Sequence, residues 1–365
     1  MKLLFLRLFK FCYFGLLLFA GMGLCCSYLA PFVPPSQSML IAFAGLAYPM
    51  FLLIFLVGSI PLLWKSKKIK VKLLVLLLLL IGIGQHTHFF GSSFFSSESK
   101  KDGHLVMSYN VRMFDLYRWS EEDHYHDSIV DFIVDKQPEI LGVQEFFHAD
   151  LPHVEDTRYS LTRRLSTKDY HQKFSRIMNG EQFFGVVTFA AKKILKRGHI
   201  DFGNSQNNFC IYTDLLYQGD TLRVYHAHLA SIRFEPEDYS AIEDELTIEG
   251  AKSILERLGT AFIRREEQVF RVRSSMDQCP YPFILLGDFN DPPTSYTYGV
   301  LSKGMNDAFL ENSWGMGSTY RGKFPSFRID YILGSPEVKF TSFDVYPKPY
   351  SDHFPIGATF ELVYP

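Results

Sequence analysis

Three long apolar segments occupy the first 90 positions of the 365-residue chain. They run over about 11–29, 39–63 and 71–90, and the last contains the run LLVLLLLLIGIG. A bilayer core of about 30 Å needs about 20 apolar residues in a helix. None of the three segments has a charged side chain at its centre. The pattern therefore predicts a membrane anchor of three transmembrane helices within residues 1–92, and with it a lipid bilayer as partner.

The first segment also has a basic start, with Lys2, Arg7 and Lys10, which is typical of a secretory signal peptide. Two further apolar segments follow it directly. Cleavage after the first would therefore leave the rest of the chain in the membrane. We favour a retained first span, with a cleaved signal peptide as the alternative.

Basic residues in the short loops predict the orientation of these helices, because such loops stay in the cytoplasm. The loop PFVPPSQS between the first two segments has no Lys or Arg. Eight basic residues precede the first segment or separate the second from the third: Lys2, Arg7, Lys10, Lys65, Lys67, Lys68, Lys70 and Lys72. Only Lys100 and Lys101 oppose this bias. The remainder of the chain is predicted to lie outside, which in a bacterium is the periplasmic side of the inner membrane.

Beyond a serine-rich stretch at 93–101, predicted to be a linker, short apolar runs alternate with helical patterns over residues 102–365. This alternation, in a segment long enough for one large core, is typical of a layered α/β domain. Helices are predicted at 124–136 and 248–276. Strands are predicted in HLVMSYN, EILGVQE, 183–190, 210–216, 222–229, FILLGDFND, RIDYIL and IGATFELV.

Composition excludes some classes of site and partner. The net charge of −2 argues against a strongly basic domain that binds nucleic acid without specificity. No CxxC or Cys/His zinc spacing accompanies the five cysteines. Cys210 and Cys279, the two beyond the apolar region, are either free thiols or a disulfide pair.

Polar residues recur at the ends of the predicted strands. Ligands of layered α/β proteins gather at such edges, where loops leave the strands. Carboxylate oxygens suit Mg²⁺ or Mn²⁺, and histidines transfer protons near neutral pH, so the set fits hydrolysis of a phosphate ester. Its members are Asn110, Glu145, His228, Asp288, Asn290, Asp330, Asp352 and His353.

The order of the motifs resembles the endonuclease/exonuclease/phosphatase superfamily. That group includes pancreatic-type deoxyribonucleases, apurinic endonucleases, neutral sphingomyelinases and inositol polyphosphate 5-phosphatases. The resemblance covers about 260 residues and implies a four-layer α/β sandwich, two packed sheets flanked by helices. Its motifs are SYN at 108–110, QE at 144–145, HL at 228–229, GDFN at 287–290, RID at 328–330 and SDH at 351–353.

The resemblance implies a Mg²⁺ or Mn²⁺ site. Glu145 matches the main metal-binding glutamate of the family. Asn110 matches the asparagine beside the metal, and Asp352 matches the aspartate that assists binding.

The resemblance also implies catalytic roles. His353 matches the histidine that acts as general base or contacts the phosphate, and Asp330 matches the aspartate that orients it. Asp288 matches the residue that positions or activates the attacking water, and Asn290 the amide that steadies the phosphate oxygens. His228 matches the histidine that contacts the phosphate or protonates the leaving group.

The chain departs from the family at His226, where an asparagine is common. On a strand His226 and His228 share a face, which leaves a metal-binding pair open as an alternative to separate roles.

The resulting hypothesis is a membrane-anchored phosphodiesterase that hydrolyses nucleic acid or phospholipid-type esters by in-line attack of water. A phosphomonoesterase of the inositol-phosphatase type and a non-catalytic binding module on the same fold are the alternatives. A diester is favoured because monoesterases of this superfamily usually carry additional basic residues that grip the substrate. Lys303 and Lys348 are the nearest in sequence to GDFND and SDHFP, and neither adjoins a motif. The basic stretches 158–176 and 192–197 are either solvated faces or contacts to an anionic substrate.

Overall fold

The computed structural model describes residues 2–91, 103–116, 125–150, 156–167, 169–176, 181–203, 207–232, 248–322 and 327–363. The linker predicted at 93–101 lies outside these ranges. The chain divides into two compact units, one of Met1–Phe89 with Pro292–Val300 and one of Phe90–Asp291 with Leu301–Pro365.

The first unit is helical. Its helices are α1 (Lys2–Leu29), α2 (Met39–Leu46), α3 (Tyr48–Lys65), α4 (Ile69–Ile81) and α5 (Ile83–Phe90). Within the described residues, α1 and α3 are each long and apolar enough to cross a membrane. The pair of α4 and α5 adds a third candidate span, bent by 55°.

Two predicted spans contain breaks. The segment predicted at 39–63 is divided between α2 and α3, with Pro49 in the first turn of α3. Proline has no amide hydrogen and is best accommodated in the first turn of a helix, so the start of α3 at Pro49 is favoured, although α3 also contains Pro61. The bend in the third segment lies at Gly82, where a Cβ would come within 2.1 Å of the Tyr28 ring. Only glycine at position 82 lets the backbone of the bend approach the Tyr28 ring so closely.

Residues 292–300 pack with the helices of the first unit. Thr294 is fully buried, and its hydroxyl donates to the carbonyl of Gly45 at 2.8 Å. The side-chain amide of Gln85 donates to the Thr294 carbonyl and to the Ser27 carbonyl, each at 3.3 Å. One buried threonine therefore joins α2 and α5 by hydrogen bonds.

The second unit contains two six-stranded sheets. Its strands are β1 (His104–Asn110), β2 (Ile140–Ala149), β3 (Asp169–Arg176), β4 (Gln182–Ala190), β5 (Ile194–Ile200), β6 (Phe209–Tyr217), β7 (Asp220–His228), β8 (Phe283–Asp288), β9 (Asn306–Asp307), β10 (Asp330–Gly334), β11 (Val338–Val345) and β12 (Ile356–Leu362). Its helices are α6 (Tyr125–Lys136), α7 (Thr157–Arg164), α8 (Ile248–Asp277) and α10 (Ala308–Asn312), and α9 (Tyr296–Leu301) lies mostly in the first unit.

The first sheet has the order β11-β12-β1-β2-β4-β3, and the second has the order β5-β6-β7-β8-β10-β9. Side chains of both sheets form one core, in which Val106 and Ile140 of the first sheet pack with Val224 and Leu286 of the second. Helices flank the sheets. The predicted α/β sandwich is confirmed.

The two basic stretches lie at the edges of the sheets. β3 ends the first sheet and β5 ends the second. Both strands carry exposed or half-buried basic side chains, among them Lys173 and Arg197. Charged side chains on an edge strand hinder pairing with other chains, which is consistent with solvated faces at β3 and β5. Cys210 and Cys279 are both free thiols.

Candidate active site

Strand register aligns three candidate residues along the second sheet. β7 and β8 are parallel, and His228 pairs with Asp288. β8 and β10 are antiparallel, and Asp288 pairs with Asp330. The three side chains therefore occur in one row at the same end of neighbouring strands, and all are buried.

The first sheet contributes Asn110 and Glu145. β1 and β2 are parallel, and Asn110 pairs with Gln144. The register of β2 against β4 shifts between Val143 and Phe146, and Glu145 within this bulge has a φ of +53°. A bulge with a left-handed residue turns a side chain out of the regular alternation of a strand. The left-handed backbone is strained, and strain of this kind is often found at functional sites. Glu145 remains accessible, with 24% of its side chain exposed.

Asn110 joins the two sheets. Its side-chain nitrogen donates to Glu145 Oε1 at 3.3 Å and to Asp288 Oδ2 at 3.0 Å. Its oxygen accepts from the backbone nitrogen of Arg112 at 3.0 Å. The amide thus fixes the separation between the carboxylates of β2 and β8.

The segment before β12 supplies Asp352 and His353. The hydroxyl of Ser351 donates to the Asn110 carbonyl at 2.8 Å, which holds this segment against the end of β1. Arg112 Nε lies 3.5 Å from Asp352 Oδ2. Asp352 therefore lies beside the Asn110–Glu145 group.

His353 is paired with Asp330. Its Nδ1 lies 2.9 Å from Asp330 Oδ2, and its Nε2 lies 3.8 Å from Asp288 Oδ2. Burial lowers the pKa of His353, but the charges of Asp330 and Asp288 outweigh burial and hold the pKa well above its ordinary value. The imidazole is therefore protonated at neutral pH.

His228, unlike His353, is uncharged. Its Nε2 lies 3.8 Å from both Glu145 Oε1 and Asp288 Oδ2. Neither ring nitrogen has a hydrogen-bond partner within the described part of the chain. Burial lowers the pKa of His228, so the ring is neutral and has two nitrogens available to a substrate. A buried polar group without a partner is costly, which is typical of a site that a ligand completes.

Glu145 and Asp352 fit a divalent cation. Burial, followed by the charge of Asp352, raises the pKa of Glu145 to about 7. The raised pKa shows that two neighbouring negative charges are unfavourable here without a cation. Mg²⁺ or Mn²⁺ binds carboxylate oxygens and would neutralise these charges. Asn110 lies beside them, with its nitrogen toward Glu145.

A second cluster, Asp288, Asp330 and His353, also has ligand atoms within 4.8 Å of one another. Its members bond to each other or to Asn110. The described residues therefore offer two candidate positions for a cation, and Glu145 with Asp352 is the one that the family resemblance predicts.

Asn290 bonds within the protein. It follows Asp288 with a φ of +55°, and its backbone nitrogen donates to Asp288 Oδ1 at 2.8 Å. Its side-chain nitrogen donates to the Leu229 carbonyl at 3.1 Å. Asn290 thus connects the loop after β8 to the loop after β7.

His226 lies in the core. Its Nε2 is 2.5 Å from Gln144 Nε2, its Nδ1 is 2.9 Å from Thr188 Oγ1, and it is fully buried. Burial, then the charges of His228 and His171, lowers the pKa of His226 to about 3. Both ring nitrogens are occupied, so His226 joins the two sheets beside Glu145 and does not form a metal pair with His228.

Sequence reasoning missed a buried ion pair behind the site. Arg265 of α8 lies 3.0 Å from Asp291 Oδ2 and donates to the Ala230 carbonyl at 2.6 Å. Gln268, one turn along, accepts from the Ala230 backbone nitrogen at 2.8 Å. One helix face therefore holds the loops that follow β7 and β8. The i, i+3 spacing of Arg265 and Gln268 in RREEQVF was the available signal.

Two arginines distant in sequence converge on Asp352. Arg112 pairs with its carboxylate, and the backbone nitrogen of Arg321 donates to its carbonyl at 2.8 Å. Lys303 and Lys348 are the nearest basic residues in sequence, but chain folding brings Arg112, just after β1, and Arg321, before β10, to the SDH motif.

A family model described as "Endonuclease/Exonuclease/phosphatase family" matches residues 107–353. The chain belongs to this family. It is a phosphoester hydrolase, and enzymes of the family generally depend on a divalent metal. A second model, described as a domain of unknown function, matches residues 7–89. No curated protein matches the sequence significantly.

Solved structures show the same fold. A family member from Bacteroides thetaiotaomicron is 18% identical, with a TM-score of 0.52, covering 72% of this chain and 98% of that one. The human Nocturnin catalytic domain with bound sulfate is 20% identical, with a TM-score of 0.50, covering 72% and 94%. D. rerio TDP2 complexed with a single-strand DNA product is 16% identical, with a TM-score of 0.50, covering 72% and 100%.

Proposed function

We propose that the protein is a membrane-anchored phosphodiesterase that uses Mg²⁺ or Mn²⁺ and attacks the phosphorus in line with water. One observation carries the proposal: protonated His353 and neutral His228 both lie 3.8 Å from the buried carboxylate of Asp288. His353 can donate a charged hydrogen bond, His228 can donate or accept a neutral one, and Asp288 can accept a proton. The three groups thus surround one position.

Each side chain has a role in this reaction. Burial is the main cause that raises the pKa of Asp288, which makes its carboxylate a better acceptor for the proton of the attacking water. The His353 imidazolium, held by Asp330, stabilises charge on a non-bridging oxygen. His228 bonds a second oxygen. A cation held by Glu145 and Asp352 would neutralise developing charge on the phosphate and the leaving oxygen.

The charged side chains around the site bear on the choice between a diester and a monoester. Within the described residues four carboxylates face the site, namely Glu145, Asp288, Asp330 and Asp352. The nearby cationic side chains are His353, Arg112 and Arg321. A monoester carries about −1.5 to −2 charges at pH 7, against −1 for a diester. A bound Mg²⁺ would offset the excess of carboxylates, so the diester preference rests on the small number of cationic side chains available for a second phosphate charge.

The candidate spans support anchoring. α1, α3 and the bent pair of α4 and α5 would give three crossings, and with the basic loops they support a catalytic unit on the outer side of the bacterial inner membrane. Nucleic acid is a second candidate substrate, since the TDP2 neighbour was solved with a single-strand DNA product.

The test uses the full-length protein in detergent with bis-p-nitrophenyl phosphate and p-nitrophenyl phosphate, with and without Mg²⁺. We expect the diester to be cleaved faster. His353→Ala and His228→Ala should each lose most of the activity, while His199→Ala, at an exposed position of β5, should keep it. Cleavage of the monoester alone would support the phosphomonoesterase. Metal binding without cleavage of either ester would support a binding module.

A further inference from the structure

The loop Trp314–Gly317 presents apolar side chains to solvent. Trp314 is 62% exposed and Met316 is 46% exposed. A tryptophan and a methionine exposed on one short loop form an apolar surface of the kind that proteins use to contact partners or membranes.

This loop pairs with Phe90 and Gly91, the first residues of the second unit. α5 ends at Phe90, whose carbonyl accepts from the backbone nitrogen of Gly315 at 2.7 Å. Gly91 forms an antiparallel bridge with Trp314. The chain that leaves the third candidate span therefore runs directly beside the exposed tryptophan.

The loop is held firmly by the catalytic unit. A Cβ on Gly317 would come within 2.4 Å of the ring of Phe309, so the backbone lies directly on this buried side chain. The backbone nitrogen of Ser313 donates to the Phe309 carbonyl at 2.8 Å. The apolar side chains are thus presented by a fixed backbone.

The same segment continues into the active site. The hydroxyl of Thr319 accepts from the backbone nitrogens of Ile329 and Asp330 at 3.0 and 3.1 Å. Tyr320 forms an antiparallel bridge with His353. Six residues span at most about 22 Å, and the Cα atoms of a bridged pair lie about 5 Å apart, so Trp314 lies within about 27 Å of His353.

We propose that Trp314 and Met316 insert into the bilayer interface and that the site hydrolyses the phosphodiester of a membrane lipid. Tryptophan prefers the headgroup region, where its ring is buried and its N–H is solvated. Exposed Arg321, next to Tyr320, adds attraction for an anionic headgroup. This inference rests on the membrane-anchored phosphodiesterase proposed above.

Insertion is tested by fluorescence quenching on the full-length protein in vesicles of phosphatidylcholine and phosphatidylglycerol. One variant keeps only Trp314 (Trp64→Phe, Trp119→Phe), and the other keeps only Trp64, at the end of α3. We expect vesicles with bromine near the headgroup to remove most of the Trp314 emission. Quenching of Trp64 but not Trp314 would overturn the inference and leave the anchor intact. Quenching of neither would overturn the anchor.

Substrate choice is tested with the double variant Trp314→Ser, Met316→Ser. The control is Phe270→Ser, Leu195→Ser, which removes side chains that are 74% and 47% exposed elsewhere on the catalytic unit. We expect about tenfold slower cleavage of vesicle phosphatidylglycerol in the first variant only, since each lost apolar contact weakens insertion. Cleavage of bis-p-nitrophenyl phosphate should be unchanged in both.

The outcomes separate the two proposals. No cleavage of the soluble diester by the unmodified protein would overturn the phosphodiesterase itself. Cleavage of the soluble diester and of single-stranded DNA, but not of vesicle lipid, would overturn the lipid inference in favour of nucleic acid. Equal cleavage of lipid by both double variants would reject the Trp314 surface.

Discussion

His353 donates a hydrogen bond from Nδ1 to the carboxylate of Asp330 at 2.9 Å. The negative charge of Asp330 is the largest influence that raises the pKa of His353. Asp330→Asn should therefore lower that pKa and shift the kinetic limb that reports His353 to lower pH. At neutral pH we expect kcat/KM on a soluble diester to fall on the order of a hundredfold.

The control for this experiment is Asp344→Asn, an exposed position on β11. Profiles of kcat/KM against pH should superimpose for the control and the unmodified protein. A profile of Asp330→Asn that is lowered but not displaced would contradict the proposed coupling.

Metal binding should depend on pH through Glu145. Its pKa of about 7 means that protons compete with the cation below neutrality. The Mg²⁺ concentration for half-maximal activity should rise about tenfold for each pH unit below 7, and EDTA should abolish activity. Glu145→Gln should raise the requirement at pH 8 by at least about tenfold.

Glu311→Gln is the matched control, because burial also raises the pKa of Glu311, which accepts from the Phe340 backbone nitrogen far along the chain from the motifs. Its Mg²⁺ requirement should be unchanged. Equal shifts in both variants would indicate a general loss of structure.

His226 should make the fold sensitive to acid. The unfolded chain protonates this histidine near pH 6.5, but the folded chain does so only near pH 3. Between these values the unfolded state binds more protons, so stability falls as pH falls. From pH 7 to pH 5 the loss from this group is about 2 kcal/mol.

His226→Asn should remove that part of the loss. The measurement is the free energy of unfolding in urea at both pH values, with exposed His199→Asn as the control. An unchanged pH dependence in His226→Asn would show that the core histidine is not the sensitive group.

Arg265 should position the catalytic loops. Arg265→Met leaves the buried Asp291 carboxylate unpaired and should cost about 3–5 kcal/mol of stability. Arg265→Lys keeps the charge but loses the paired contacts to Asp291 and the Ala230 carbonyl, so kcat should fall more than KM changes.

Arg223→Lys is the matched control, since Arg223 pairs with Asp214 between β6 and β7, away from the motifs. The Arg223→Lys variant should be less stable than the unmodified protein but should keep the same kcat. An equal loss of kcat in both lysine variants would argue against a positioning role for Arg265.

Topology can be tested with fusions. Alkaline phosphatase fused after Lys101 should be active, because it folds only outside the cytoplasm, while a fusion after Lys68 should be inactive. Activity of the Lys68 fusion alone would reverse the orientation. Inactivity of both would reject the third crossing, which the bend at Gly82 makes the least regular of the three.

The candidate site could be anticipated from the sequence because its residues lie at the ends of buried strands, whose apolar runs are easily recognised. Asn110, Asp288 and Asp330 lie at strand ends that register brings together. The bulge at Glu145 could not be anticipated, because a left-handed residue inside a strand leaves no pattern in the residue types.

Contacts between distant segments were also inaccessible to pattern reasoning. Arg265 and Asp291 lie 26 positions apart, and their pairing depends on how α8 packs. β3 and β5 went unpredicted because basic residues on edge strands hide the alternation of a strand. The division between α2 and α3 was hidden because a single proline interrupts an otherwise apolar run.

Thr294 has a consequence for how the protein can be divided. The chain leaves the catalytic unit after Asp291, packs with the first 89 residues, and returns at Leu301. A fragment that begins after the helices would keep Thr294 but lose Gly45 and Gln85, the groups that satisfy it. Neither half is therefore a self-contained module. A chimera that exchanges the anchor should exchange residues 292–300 with it, a segment that begins four positions after Asp288.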